Sequence, residues 1–381
     1  MLDYSLTPLD RARLLTPEFA QKAAIWDQER RYCWENVKQL TNAGLMGMTL
    51  PIEYGGQGAN WQDCISVIEE IASACTLSAR IVVEANMGAL SAIMAYGSDV
   101  QKQLAASLVL AGDKPAICIT EPNAGSAATE MTTTAVHRGD TYYLTGHKHW
   151  ITGGGISHLY LIFAQVIDHS GENKGIGAFL VKCDPKKSKY PNGFKILRHE
   201  RTMGLCGMPE AELAFDNLAI PSDMALLPAG GFRDLMSAYN SQRIGAGAVA
   251  LGVARGAMEH AISYMHKRQQ FGQKLADFQG LQWMIADMDT QIHAARLMLT
   301  DAAKTAEGRF PDMHAAARAK LFSSEMAIRV VDNALQIFGA RGYGDGTPLS
   351  RMYRDVRMFT IGGGTAQILR NQISGCLLRS F

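Results

Sequence analysis

The run Ile117-Cys118-Ile119-Thr120-Glu121-Pro122-Asn123-Ala124-Gly125-Ser126, followed by Trp150-Ile151-Thr152-Gly153-Gly154-Gly155, decides how the rest of this chain is read. The first segment leaves a strand-like apolar run and enters a turn of small and hydroxyl residues. Such a turn can direct backbone N–H groups and hydroxyls toward a ring and a pyrophosphate. Either segment alone is an ordinary loop. The second, however, closes the hairpin that follows the first, so the two form a pair.

Outward from that pair the pattern is β. Tyr142-Tyr143-Leu144, Tyr160-Leu161-Ile162-Phe163 and Ile176 to Val181 are short β-branched and aromatic runs, with turn chemistry at Arg138-Gly139-Asp140 and Asp168-His169-Ser170-Gly171. They predict an antiparallel sheet domain over residues 114–222. Residues 1–113 read as mostly helix, broken by the glycine-rich turn Pro51 to Gly58. In residues 223–381 apolar residues return every three to four positions. One stripe is Leu281, Met284 or Ile285, Met288, Ile292, Ala295, Leu299, and another is Leu321, Ala327 or Ile328, Val331, Leu335, Phe338. These stripes predict a helical bundle core, and Gly245 to Gly252 supplies small residues for close helix approach. The order is therefore helices, sheet, helical bundle, an α+β multidomain chain.

The 381 residues suffice for two or three packed units. A net charge of +1 without a basic cluster interleaved with aromatics argues against nucleic acid as a partner. The start, Met1 to Leu6, lacks a leader pattern, and no run of about 18 apolar residues is evident, so the expectation is a cytoplasmic protein with no membrane partner. Seven scattered cysteines without a Cys-x-x-Cys pair read as reduced, mostly buried thiols. His147-x-His149 has no ligand cluster nearby in sequence, so no metal is expected. Gly-x-Gly-x-x-Gly, the phosphate-loop Gly-Lys-Ser/Thr and Gly-x-Ser-x-Gly are all absent, which removes sequence support for a nicotinamide site or a serine hydrolase.

The two opening segments resemble the flavin-binding segments of the acyl-CoA dehydrogenases, typically Val-Thr-Glu-Pro-x-Ala-Gly-Ser and Trp-Ile-Thr-Asn-Gly. Arg268-Gln269-Gln270-Phe271-Gly272, Phe278-Gln279, Gln336 to Ala340 and Thr365-Ala366-Gln367-Ile368 continue the resemblance in the family's order. It implies the acyl-CoA dehydrogenase fold: an N-terminal helical domain, a middle antiparallel β domain and a C-terminal four-helix bundle. It also implies FAD, an acyl-CoA thioester substrate and a homo-oligomer, dimer or tetramer, whose FAD site is shared across an interface. By that resemblance Ile117, Ile119, Thr120, Gly125, Ser126, Trp150, Ile151 and Thr152 hold the cofactor, with Ser126 near the pyrophosphate. Arg268, Gln270, Phe271, Phe278, Gln279, Gln336, Gly339, Ala340, Thr365 and Gln367 complete the site. Arg268 with Gln336 to Ala340 belongs to the part contributed across the dimer interface. Ala340 replaces a usual glycine. A guanidinium suits a pyrophosphate, being a planar, permanently charged fork of donors.

The resemblance breaks where the family keeps its base. Many members carry Tyr-Glu-Gly-Thr, whose Glu removes the α-proton; here Gly362-Gly363-Gly364-Thr365 stands instead. Other members carry Glu just before the arginine corresponding to Arg243, and that position is Gln242. Glycine has no proton acceptor, and an amide cannot abstract an unactivated α-proton, although it can orient water or hydrogen-bond a thioester oxygen. Arg80, one turn before Glu84 in a helix resembling the family's acyl-pocket wall, is the second departure. A charge there is costly beside an alkyl chain and favourable beside an anionic acyl terminus. Arg80, Gln242 and Gly363 together resemble the 3-sulfinopropanoyl-CoA desulfinase branch. That branch implies hydrolysis of a C–S bond to propanoyl-CoA and sulfite. Arg80 and Gln242 would be its catalytic residues, and Ser126, Arg243, Gly363 and Gly364 would add to the substrate contacts. A dehydrogenase or enoyl-CoA reductase with an unmatched base, for which Glu84 is the nearest candidate, is the alternative; a silent CoA-ester-binding flavoprotein is the third.

Overall fold

Small residues on one long helix explain how the two helical regions join. The computed structural model describes residues 5–306 and 309–379. Six helices come first: α1 (Pro8–Gln28), α2 (Trp34–Asn42), α3 (Trp61–Ala72), α4 (Thr76–Asn86), α5 (Ala89–Tyr96) and α6 (Asp99–Leu110). After the sheet, α7 (Phe232–Lys267) runs 36 residues. A Cβ on its Gly245 would fall 2.5 Å from the Met87 sulfur, and one on Gly247 would fall 2.7 Å from a Leu299 methyl carbon. Cβ atoms on Gly252 and Gly256 would collide with the backbone carbonyls of Glu69 and Ser73 at the end of α3. Glycine at these positions lets α7 lie against α3, α4 and the later helices α8 (Gln279–Lys304) and α9 (Met313–Phe338). As a result N-terminal and C-terminal helices share one apolar core.

The predicted stripes supply that core unevenly. Met288, Ile292, Ala295 and Leu299 of α8 are buried, whereas Leu281, Met284 and Ile285 at its start are half-covered beside the exposed Trp283. The chain ends through α10 (Ala340–Tyr343), α11 (Pro348–Val356) and α12 (Ala366–Arg379). Side-chain caps fix several helix starts: Asn60 accepts from Asp63 N at 2.9 Å, Asp312 accepts from Ala315 N at 2.9 Å, and Ser98 with Gln101 forms a capping box.

Between the helical regions lie β1 (Ala116–Cys118), β2 (Thr134–Arg138), β3 (Thr141–Thr152), β4 (Leu159–Ile167), β5 (Asn173–Lys182), β6 (Phe194–His199), β7 (Glu210–Pro221) and β8 (Ala225–Leu227). The sheet order is β6-β7-β3-β2-β4-β5-β8, with β1 also on β4. The sheet is mainly antiparallel, as expected, with two parallel pairings added, β1 and β2 each on β4. The chain crosses from β1 to β2 by the Thr120 to Met131 segment, not by a tight hairpin, so both strands enter in one direction. β4 explains why its run is continuously apolar. Leu159, Leu161 and Phe163 face the helical core, while Tyr160, Ile162 and Ala164 face the sheet's own core.

Thr76–Tyr96 modifies another expectation: its length and mean hydropathy would suit a membrane span. That stretch is 89% buried, breaks at Met87-Gly88 between α4 and α5, and carries Arg80 and Glu84, so it is core wall. Cys33, Cys64, Cys75, Cys118 and Cys183 are buried thiols, and Cys206 and Cys376 are half-buried.

Candidate active site

The turn after β1 is held by one buried carboxylate. Glu121 accepts from Thr132 N at 2.7 Å, Thr132 Oγ1 at 2.8 Å, Thr133 N at 3.0 Å and Lys148 Nζ at 2.8 Å. Lys148 also donates to Ile119 O at 3.0 Å, and His149 N donates to Thr120 O at 2.9 Å. These bonds join the Ile117 to Ser126 segment to β3. Burial pushes the Glu121 carboxyl up, but the bonds from Lys148, Thr133 and Thr132 outweigh it and hold it at about 2. Burial pushes the Lys148 ammonium down, against the pull of Glu121. Neither residue was among the sequence candidates, yet together they fix the turn.

The face beyond this anchor is open. Gly125 and Ser126 are exposed, while Ile117, Ile119, Thr120 and Thr152 are half-buried. Trp150 has φ +57°, stacks on His149 with ring centroids 5.0 Å apart, and remains 51% exposed. Ile151 turns into the sheet core, so only its backbone can meet a ligand. A Cβ on Gly153 would collide with Lys114 Nζ and lie 2.7 Å from Ser157 Oγ, and these two buried polar atoms have no hydrogen-bond partner. An exposed aromatic, open backbone and free hydroxyls on one face fit a flat cofactor with a phosphate tail. Thr152 Oγ1 donates to Glu210 at 2.9 and 3.0 Å. Burial raises the Glu210 carboxyl to about 7, against the opposing pulls of Arg80, Thr152 and Lys114.

Arg80 points inward, with its side chain 12% exposed, and its Nη2 meets Glu84 Oε1 at 2.7 Å. A guanidinium turned outward to pair with a surface carboxylate is thereby excluded. Gln242 Nε2 donates to the same Glu84 oxygen at 2.9 Å, and Gln242 Oε1 has no partner among the described residues. Next to it, Arg243 donates to Asn240 Oδ1 at 2.6 Å, lies 5.9 Å over the Tyr239 ring, and has its pKa lowered by burial.

The other base position is open. Gly363 has φ +74°, and the nearest atom to a Cβ built there is Lys320 Cε at 3.9 Å. Lys320 Nζ donates to Gly364 O at 2.7 Å. Burial, then the charges of Arg243 and Arg80, lower the Lys320 ammonium to about 7. Arg80 therefore acts electrostatically on both Glu210 and Lys320, a link between α4, β7 and α9 that their sequence separation hid.

The remaining candidates occupy outer surfaces of the bundle. Arg268 follows α7, is exposed, and its guanidinium has no partner among the described residues. The hairpin of β9 (Gln269–Gln270) and β10 (Gln273–Lys274) lifts Phe271 to 94% exposure at φ +52°. Gln270 is exposed, Phe278 meets Phe271 edge-on at 6.3 Å, and Gln279 starts α8. Gln336, Gly339 and Ala340 are exposed at the end of α9. Gly339 has φ +60°, whereas Ala340 opens α10, so alanine is unstrained there. Thr365 Oγ1 caps α12 by accepting from Ile368 N at 3.2 Å, and Gln367 is exposed.

The sheet also gathers ligand types that sequence spacing had kept apart: His149, Glu200 and Glu212 come within 4.8 Å of one another. Arg198 meets Glu200 at 2.7 Å and Glu212 at 3.0 Å, so a guanidinium already pairs with both carboxylates of that cluster.

Residues 11–113, 116–218 and 229–378 match, in turn, the N-terminal, middle and C-terminal domains of acyl-CoA dehydrogenase. The 3-sulfinopropanoyl-CoA desulfinase of Cupriavidus necator is 54% identical over 364 residues, covering 94% of this chain and 91% of that protein. The structure of butyryl-CoA dehydrogenase from Megasphaera elsdenii superposes with a TM-score of 0.90 at 31% identity, covering 99% of this chain and 100% of that one. A glutaryl-coenzyme A dehydrogenase in complex with glutaryl-CoA superposes with a TM-score of 0.92 at 30% identity, covering 99% and 96%.

Proposed function

The chain belongs to the acyl-CoA dehydrogenase family, and from that premise we propose that it is an FAD-containing 3-sulfinopropanoyl-CoA desulfinase, releasing propanoyl-CoA and sulfite. The observation that carries this reading is the charge pattern at Arg80 and the two base positions. Both family base positions lack a carboxylate, while an inward arginine stands on the wall. The 54% identical relative bears the desulfinase name, and a structural neighbour holds glutaryl-CoA, whose acyl chain also ends in an anion.

FAD would lie on the Thr120 to Ser126 and Trp150 to Thr152 face, and when bound it supplies a flat, electron-accepting ring as one pocket wall. Arg80 would hold the sulfinate with its free donors and stabilise charge that develops there. Gln242 would orient water through Oε1. In the net reaction water's oxygen joins sulfur and one of its protons joins the carbon. That carbon keeps the electron pair of the broken C–S bond. Sulfur is thus oxidised by two electrons and carbon reduced by two, so no external acceptor is required. Loss of an α-proton base is then tolerable. The exposed Phe271, Trp283 and Arg268 support a homo-oligomer, dimer or tetramer, in which Arg268, Gln336 and Gly339 serve a neighbouring FAD.

Glu210, a carboxyl near neutrality beside Thr152, favours a second reading, a dehydrogenase or reductase with a displaced base. The test is incubation with 3-sulfinopropanoyl-CoA, with and without a dye acceptor. The proposed enzyme forms sulfite in both; an oxidoreductase forms none and reduces the dye.

A further inference from the structure

Arg80 and Gln242 stand on different helices, and a single carboxylate oxygen joins them. Glu84 Oε1 meets Arg80 Nη2 at 2.7 Å and Gln242 Nε2 at 2.9 Å, and the Glu84 side chain is 3% exposed. On a solvated helix surface an i,i+4 ion pair adds only a few tenths of a kcal/mol. Here water does not compete, and each contact restricts one of the two side chains.

The amide has one donor end and one acceptor end. With Nε2 against the carboxylate, Oε1 is turned away and stays without a partner. The flipped amide would set oxygen against oxygen. Oε1 instead sits over Gly88, where an added Cβ would fall 2.5 Å from it and where φ is +62°. That oxygen is buried against the Gly88 backbone, in the room that an absent side chain leaves. Arg80 is fixed at one nitrogen and keeps its other donors for a ligand.

We propose that Glu84 is a positioning residue: its carboxylate fixes the Arg80 guanidinium for an anionic acyl terminus and holds the Gln242 amide with its carbonyl oxygen turned away from the carboxylate toward Gly88. The kinetic part of this inference rests on the desulfinase reading. The binding part does not.

The purified flavoprotein is titrated with succinyl-CoA and with butanoyl-CoA, following the flavin absorbance. Wild type is expected to prefer succinyl-CoA, and Glu84→Gln to reduce that preference roughly tenfold, the equivalent of about 1.4 kcal/mol. If Glu84 were merely a counter-charge, its loss would leave Arg80 unopposed and raise the preference. A rise, or no change at normal flavin content, overturns the proposal. Should Glu84→Gln fail to fold, Glu84→Asp keeps the charge, withdraws the carboxylate by one methylene, and is expected to lose preference in the same direction. In the sulfite assay Glu84→Gln should lower kcat roughly tenfold, and adding Gln242→Ala should cost little more, because both changes remove one arrangement. Fully additive losses contradict that arrangement. A wild type that makes no sulfite refutes the desulfinase reading and leaves the succinyl-CoA arm as the test of Glu84.

Discussion

The cofactor turn and the acyl wall are built in opposite ways. Around Glu121 every strong donor is matched: two backbone N–H groups, a hydroxyl and an ammonium converge on one carboxylate. Around Arg80 the polar groups are only partly matched. Gln242 Oε1 and Arg243 Nε lack partners, and Lys320 and Glu210 both lie near 7. A completed network holds backbone in place, whereas an incomplete one leaves capacity for a ligand. The difference teaches that the turn after β1 is built to stay fixed, whereas the wall around Arg80 keeps polar groups unmatched.

The largest effect should come from breaking the complete region. Lys148→Met leaves Glu121 buried without its cation and should cost about 3–5 kcal/mol of stability. FAD should be lost along with it. A variant with wild-type melting temperature and full flavin content would show that the turn does not depend on this pair.

Breaking the incomplete region should spare stability and damage chemistry. Arg80→Ala is expected to lose roughly ten- to a hundredfold in sulfite-forming kcat/KM with flavin content unchanged. Arg80→Lys should rescue poorly, since an ammonium lacks the planar fork. Near-normal sulfite release from Arg80→Ala would separate the arginine from the substrate. Arg268→Ala tests the outer surface, where loss of a charge-assisted contact should weaken FAD retention by about 1.5–3 kcal/mol; unchanged retention on dilution would remove it from the cofactor site.

The smallest effect concerns pH. Because the folded Glu210 carboxyl holds its proton up to about 7 against an ordinary 4.5, the folded state binds more protons than the unfolded one in that window. Its contribution to stability therefore falls as pH rises from 4.5 through 7. Lys320, lowered from 10.5 to about 7, adds stability as pH rises across that higher window. The melting temperature of Glu210→Gln minus that of wild type should accordingly grow between pH 5 and 7. A constant difference would mean that Glu210 titrates normally.

The fold was legible because helix and strand periods and the Thr120 to Ser126 and Trp150 to Thr152 segments are local signals. The two parallel pairings were not, since nothing short-range says which strand β4 will join. In the site, Arg80, Gln242 and Gly363 were readable as departures from a familiar pattern. The Arg80 to Glu84 spacing of four hinted at their pairing. Lys320 beside Gly363 and Glu210 beside Thr152 gave no such hint, because helix packing and strand register bring them together across long separations.

The central claim is that the wall around Arg80 cleaves a carbon–sulfur bond without passing electrons onward. Its most direct test is incubation of the purified yellow protein with 3-sulfinopropanoyl-CoA and no electron acceptor, measuring sulfite and propanoyl-CoA together. The account predicts equal amounts of the two products. Acceptor-dependent oxidation of butanoyl-CoA with no sulfite formed would contradict it.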